Sequence, residues 1–454
     1  GPSAPDLRPI ETKADLISYF EAGMKPKEDW RIGTEHEKFS FNTATLDAIP
    51  YEGEAGIKAL LDGLAADFGW EPLFDKDQVI GLKKSGQGNI SLEPGGQFEL
   101  SGAPLETIHQ TCSEVHTHLD EVREVGRKLG IGMLGLGFTP VGTREGTPWM
   151  PKSRYKIMRN YMPKVGNLGL DMMLRSCTIQ VNLDYGQEAD FVQKLRVGVA
   201  LQPIATALFA NSPFTEGEPN GYKSFRARLW QDTDADRTGN LPFIFEEGMS
   251  FERYVDYALD VPMYFVMRDG EYIDVAGQSF RDFLKVELPG LPGEKPNMGD
   301  WADHLSTCFP EVRAKTFLEM RGADGGPWSS ICGLPALWVG LLYDQAALDE
   351  ASALIADWTA EERHSMMMDV PMHGFDTPWR GQTLKQLALQ VLDIAEGGLK
   401  RRAKLNHFGS DESSFLGPLR RRAESGSSPA DDLLELFHGC WNGDIKRVFS
   451  DFAF

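Results

Sequence analysis

The feature that most restricts this chain is a parity rule repeated in several short segments, with acidic or amide side chains at every second position and apolar ones between them. In Gly33-Thr-Glu-His-Glu-Lys38, Glu35 and Glu37 stand two apart, as do His36 and Lys38. Successive side chains of a strand point to opposite sides of its sheet, so the two carboxylates share one side and His36 and Lys38 the other. The same parity recurs elsewhere. Ser91 and Glu93 oppose Ile90 and Leu92, and Glu99 opposes Phe98 and Leu100. Gln180, Asn182 and Asp184 oppose Ile179, Val181 and Leu183, while Glu319 and Arg321 oppose Leu318 and Met320. Strands of this kind form a sheet that packs on helices through its apolar side. Its open side gathers Glu35, Glu37, Glu93, Glu99, Gln180 and Glu319.

A polar strand face is commonly just solvated. Here the acids come without interleaved lysines on their own side, and so many like charges at close range require cations between them. Carboxylates and an amide oxygen are hard ligands, and no Cys or His pair stands at metal spacing, so the set favours magnesium, or manganese, over zinc. Magnesium keeps coordination positions for phosphate oxygens, which points to a nucleotide. Composition decides how a nucleotide would be admitted. The 46 Lys and Arg against 67 Asp and Glu leave a net charge of −21, which repels nucleic acid and anionic membrane surfaces, so neither is an expected partner. A polyphosphate then needs divalent ions or a local basic patch, and Pro151-Lys-Ser-Arg-Tyr-Lys-Ile-Met-Arg159 with Lys164 is such a patch, although a solvated basic loop would read the same. The glycines of Gly86-Gln-Gly88 and Gly95-Gly96 match neither a Walker motif nor a dinucleotide fingerprint. Gly322-Ala-Asp-Gly-Gly-Pro-Trp328 reads equally as ligand-facing backbone or as a turn.

Helices are expected over Lys13 to Ala22, Gly56 to Phe68, Leu105 to Leu129, Phe191 to Phe209, Pro335 to Ala356 and Leu384 to Ala403. Strands are expected over Arg31 to Phe41, Asn89 to Glu93, Gln97 to Ser101, Cys177 to Tyr185, Met263 to Met267 and Phe317 to Arg321. That mixture is α+β. Glu216 to Asn220, Gly290 to Gly299 and Glu424 to Pro429 read as loose connections. The most apolar window, Val197 to Phe214, is interrupted by Gln202, Pro203 and Asn211 and suits a buried helix rather than a membrane span. Gly1-Pro-Ser3 reads as a cloning scar, residues 1–7 as a flexible terminus and 8–454 as one catalytic domain. No secretory pattern follows. Cys112, Cys177, Cys308, Cys332 and Cys440 form no zinc motif, so a cytoplasmic protein with mostly reduced thiols is expected.

Three longer runs, Ile32-Gly-Thr-Glu-His-Glu-Lys38, Ser91-Leu-Glu-Pro-Gly-Gly-Gln-Phe-Glu-Leu100 and Phe317-Leu-Glu-Met-Arg-Gly-Ala-Asp-Gly-Gly-Pro-Trp328, closely resemble the plant and proteobacterial type of glutamate-cysteine ligase. The resemblance continues through Arg175 to Asn182, Leu201 to Phe214, Trp230 to Gly239 and Tyr254 to Tyr264, and so covers nearly the whole chain. It implies an antiparallel cradle of the glutamine synthetase-like type surrounded by helices, and the first step of glutathione synthesis. It further implies that Glu35, Glu37, Glu93, Glu99, Gln180 and Glu319 hold magnesium, with Glu319 and Arg321 at the transferring phosphate. Gln180 stands where a more distant branch has His. Arg226 is expected on the glutamate α-carboxylate, Arg154, Lys156 and Arg159 on ATP, and Tyr264 in the cysteine pocket, although a core aromatic would look alike. Cys112 and Cys332 stand at the positions of one disulfide of plant members, while Val275 and Gly290 stand at those of a second.

The chemistry expected is ATP-dependent joining of cysteine to the γ-carboxylate of glutamate through a γ-glutamyl phosphate, in a monomer or homodimer whose partners are glutamate, cysteine and ATP. Two alternatives stay open at this point. One is the same chemistry with another amine, and the other is nucleotide and metal binding without turnover.

Overall fold

Burial along the first long strand alternates residue by residue from Ile32 to Ser40, and this alternation sets the architecture. The computed structural model describes residues 6–239 and 241–454, so residues 1–5 of the expected flexible terminus lie outside the described residues. Nine strands form one sheet: β1 (Ile32–Asn42), β2 (Glu71–Asp75), β3 (Gln78–Lys83), β4 (Asn89–Leu92), β5 (Phe98–Ser101), β6 (Ile131–Leu134), β7 (Thr178–Leu183), β8 (Val312–Ala314) and β9 (Leu318–Asp324). Eight lie in the order β8-β9-β7-β1-β5-β4-β3-β2, and β6 pairs with the far end of β1. Every pairing in this sheet is antiparallel.

The helices that frame it are α1 (Lys13–Glu21), α2 (Ile57–Phe68), α3 (Ile108–Leu129), α4 (Ser153–Val165), α5 (Glu188–Phe209), α6 (Phe225–Trp230), α7 (Trp328–Leu342), α8 (Gln345–Ile355) and α9 (Leu384–Arg402). Ile179, Val181, Leu183, Leu318 and Met320 enter one hydrophobic core with the buried faces of α5, α7 and α9. A second core joins α2 and α3 to Val79, Leu82, Ile90, Leu92, Phe98 and Leu100. Each of these side chains contributes about 1.5–3 kcal/mol through burial. At Gly198 of α5 a Cβ would come within 3.2 Å of the Met320 sulfur, so the helix and β9 are closely packed there.

Local signals placed most boundaries. Thr107 and Gln110 form a capping box at the start of α3, and Gly130 closes it in the left-handed conformation with φ of 70°. Two expectations are corrected. The helix read from Pro335 to Ala356 is two helices meeting at 87°, because Asp344 accepts from the Ala347 N–H at 3.0 Å and starts α8 afresh. The strand read at Met263 to Met267 belongs to a separate hairpin of Phe265–Arg268 with Glu271–Asp274. Among the described residues no single helix is long and apolar enough to cross a membrane.

The covered side of the sheet is less apolar than parity alone implies. Thr34, His36 and Lys38 are buried there, and Lys38 Nζ lies 2.7 Å from His118 Nε2 of α3. Burial drives the Lys38 ammonium down to about 7 and holds His36 and His118 well below the usual imidazole range.

Candidate active site

The β1–β5 register sets Glu37 directly opposite Glu99. Glu93 joins them from the turn after β4, where the Gly96 N–H donates to the Glu93 carbonyl at 2.9 Å and the Glu93 N–H donates to the Gln97 carbonyl at 3.0 Å. Gly96 adopts φ of 87°, the conformation that a three-residue hairpin loop requires at this position. Gly95 packs so closely on the Leu174 carbonyl that a Cβ has no room. Carboxylate oxygens of Glu37, Glu93 and Glu99 consequently fall within 4.8 Å of one another. Glu37 accepts from the Thr178 N–H at 2.9 Å and Glu99 from the Ser101 hydroxyl at 3.2 Å, yet among the described residues no Lys or Arg forms an ion pair with any of the three. Burial, reinforced by Glu93, raises Glu37 to about 8, and the same causes push Glu99 well above the carboxylate range. Three crowded carboxylates without an ion-pair partner, two of them, Glu37 and Glu99, resisting ionisation, fit a small hard dication.

The other half of the expected ligand set is arranged differently. Glu35 lies opposite Gln180 of β7 on one side and Ser101 of β5 on the other. With its amide oriented to satisfy both neighbours, Gln180 donates to Glu35 Oε2 at 3.0 Å and accepts from an Arg321 amino group at 3.3 Å. Ser101 donates to Glu35 Oε1 at 3.1 Å. Glu319 is only 2% exposed and is ringed by cations: Arg313 Nε at 2.6 Å, Lys315 Nζ at 3.2 Å and an Arg321 amino group at 3.6 Å. These cations outweigh burial and hold its carboxyl far below the usual range, while burial and Arg313 bring Arg321 down to about 10. The six residues expected as one ligand set thus differ in their partners: Glu37, Glu93 and Glu99 crowd together without an ion pair, whereas Glu319 is met by cations and Gln180 by Arg321, and Glu35 adjoins both groups, sharing the Ser101 hydroxyl with Glu99.

Beside this cradle Arg226 on α6 is 4% exposed. One of its amino groups donates to the Arg321 carbonyl at 2.5 Å, and the other has no hydrogen-bond partner, its nearest carboxylate being Asp324 at 3.7 Å. Asp324 is already occupied by the Asn211 N–H and the hydroxyls of Ser212 and Ser224. A bulge in β9 between Met320 and Ala323 sets the direction of Arg321, and Gly322 to Asp324 continue the strand rather than forming a phosphate loop. The basic patch becomes α4 and its N-cap. Arg154 has an unpartnered Nε, and the half-buried Lys152, pushed down to about 8 by burial, feels the charges of Glu93 and Glu99. Lys156 and Arg159 are exposed, and Arg159 lies over the Trp149 ring at 4.5 Å. Tyr264 is 1% exposed within a small aromatic cluster, 3.8 Å from the Arg237 guanidinium, with an unpartnered hydroxyl.

Sequence reasoning read Lys152 only as part of the basic patch and missed Arg313 and Lys315. The signal for the last two was present, since Val312-Arg-Ala-Lys315 has the same alternation as the acidic strands but with basic residues. A disulfide joins Cys112 on α3 to Cys332 on α7 with Cα atoms 5.8 Å apart, so reduced thiols do not hold as the rule for this pair. Cys177, Cys308 and Cys440 are free.

A model of glutamate-cysteine ligase family 2 matches residues 31–451. The chloroplastic glutamate-cysteine ligase of Brassica juncea is 56% identical over 443 residues, which are 98% of this chain and 84% of that protein. That of Medicago truncatula is 55% identical over 443 residues, 98% of this chain and 85% of its own length. The structure of the glutamate-cysteine ligase of Francisella tularensis in complex with AMP aligns with a TM-score of 0.55 at 12% identity, covering 93% of this chain and 89% of that one, a likeness of fold alone. The cytoplasmic location expected above is overturned by the relatives, which are chloroplastic proteins.

Proposed function

This chain belongs to glutamate-cysteine ligase family 2, and from that premise we propose that it joins L-cysteine to the γ-carboxylate of L-glutamate, converting ATP to ADP and phosphate and yielding γ-glutamylcysteine for glutathione synthesis. The observation that carries this reading is the uncompensated Glu37, Glu93 and Glu99 trio facing a buried arginine pair, Arg226 and Arg321, in a chain 56% identical to such a ligase.

A carboxylate resists attack by an amine because its oxygen leaves poorly. Phosphoryl transfer from ATP to a γ-carboxylate oxygen of glutamate gives an acyl phosphate. The cysteine amine then adds to that carbonyl carbon, loses a proton, and the C–O bond to phosphate breaks. The free amino group of Arg226 suits the glutamate α-carboxylate, which would complete its hydrogen bonding. Arg321 stands between that position and Glu319 and is placed to stabilise charge on the transferring group. Arg154 and Lys152, both within electrostatic reach of Glu93, are the basic residues suited to a triphosphate tail. Magnesium, held by Glu37, Glu93 and Glu99, would neutralise phosphate oxygens and keep donor and acceptor in line. Tyr264, with a free hydroxyl beside Arg237, is assigned to the cysteine pocket.

The test is ADP release by purified protein with magnesium and ATP, with glutamate alone, with glutamate plus cysteine, and with glutamate plus 2-aminobutyrate. Dependence on glutamate and stimulation by both amines support the reading and make the amine, not the thiol, the nucleophile. ATP binding without any amino-acid-dependent turnover would sink it.

A further inference from the structure

The two halves of the cradle differ in how their negative charge is met. At Glu37, Glu93 and Glu99 no side-chain cation forms an ion pair among the described residues. Glu35 and Glu319, by contrast, share their surroundings with Arg313, Lys315 and Arg321, three positive charges to two negative.

This compensation is built into the sheet. Arg313 of β8 lies directly opposite Glu319 of β9, and paired side chains at such positions are held within contact distance by the strands themselves. The guanidinium is fixed further, donating to the carbonyls of Ser306 at 2.7 Å and Cys308 at 3.0 Å as well as to Glu319 Oε2 at 2.6 Å. Lys315 approaches the second oxygen, Glu319 Oε1, at 3.2 Å. The remaining donor that could take a metal, the Gln180 amide oxygen, faces Arg321. A dication entering here would meet a site already carrying net positive charge, with every oxygen engaged.

We propose that Arg313 and Lys315 act as resident cations for the half of the cradle formed by Glu35, Gln180 and Glu319, so that the protein by itself holds one divalent ion, at Glu37, Glu93 and Glu99. The proposal rests on the reading of that trio as a metal site. It assigns to Arg313 and Lys315 a positioning role: they hold Glu319, which in turn fixes Arg321 beside the reacting phosphate. It also means that this half of the site is neutral or positive before nucleotide arrives.

Counting Mn²⁺, a stand-in for Mg²⁺ visible by electron paramagnetic resonance, on the full chain without nucleotide tests this. Ions that travel with ATP are thereby left out of the count. The expected result is one ion per chain, lost in Glu99→Gln and kept in Glu319→Gln. The double substitution Arg313→Met and Lys315→Met should gain a second ion, lost again when Glu319→Gln is added. Circular dichroism checks that each variant is folded, and Glu35→Gln replaces Glu319→Gln if the latter does not fold. Two ions on the unaltered protein, one removed by Glu319→Gln and the other by Glu99→Gln, would overturn the proposal while leaving the trio's role intact. A double variant that gains nothing overturns it as well. No ion at all, or an ion that survives Glu99→Gln, removes the trio's role and the proposal with it.

Discussion

At the scale of single residues, stability and function pull in opposite directions. Glu99 is half-buried, and desolvation and like charges raise its carboxyl well above its ordinary value, so in metal-free protein it destabilises the fold it serves. Glu99→Gln should therefore raise the melting temperature in a chelator while abolishing magnesium-dependent ADP release; a variant that melts lower would contradict the electrostatic account. Arg226 gives a second case. Its unpartnered amino group is where a carboxylate would add one or two charge-assisted hydrogen bonds. Arg226→Met is expected to cost about 2–4 kcal/mol of glutamate recognition, roughly 30- to 1,000-fold in kcat/KM for glutamate, with the melting temperature little changed. If steady-state kinetics show the loss in ATP affinity instead, Arg226 is misassigned. These residue roles were legible in part. Parity found the carboxylates, but the basic alternation of Val312 to Lys315 went unread because three strand residues between loops carry too short a period to register.

At the scale of elements, the turn between β4 and β5 carries the most consequence per residue. Its tip is the three residues Pro94 to Gly96, closed by a hydrogen bond between Glu93 and Gln97, and it brings Glu93 to Glu37 and Glu99. Gly95→Ala would drive a methyl group into the Leu174 carbonyl, and the turn would have to move. We expect destabilisation of about 1–3 kcal/mol, read by urea unfolding, together with loss of Mn²⁺ binding. Unchanged metal binding would show that Glu93 is not positioned by this turn. The β1–β5 and β1–β7 registers do the remaining positioning, since a slip of one residue would send Glu35 and Glu37 to the covered side and His36 and Lys38 to the open one. For five of the six expected helices the boundaries were legible from caps and glycines, whereas helices such as Phe251–Asp260 and Ala360–His373 were not read. The break between α7 and α8 was not, because Asp344 can cap a helix only if packing has turned the chain there.

At the scale of the whole molecule, metal binding, protonation and covalent closure are linked to stability. Glu37 titrates near 8 in the folded protein against an ordinary 4.5, so between those values the metal-free fold binds more protons than the unfolded chain and loses stability as pH rises. A dication takes the place of that proton. The rise in melting temperature caused by Mg²⁺ should accordingly grow from about pH 6 to about pH 9. Comparing with and without Mg²⁺ at each pH cancels His36, His118 and Lys38, whose lowered values act in the opposite direction. A pH-independent Mg²⁺ effect would rule out the linkage. The Cys112–Cys332 disulfide closes 220 residues of sequence, and by loop entropy its reduction should lower stability by up to about 5 kcal/mol, measured by calorimetry with and without reductant. What the sequence determined by itself was the α+β class, the faces of the sheet strands and the family, because alternation, caps and long matched runs are local properties of the chain. Only the tertiary structure decided which carboxylates share an ion. That choice depends on which strands become neighbours, and the strand that neutralises Glu319 pairs with it across a turn where local periodicity is too short to be read.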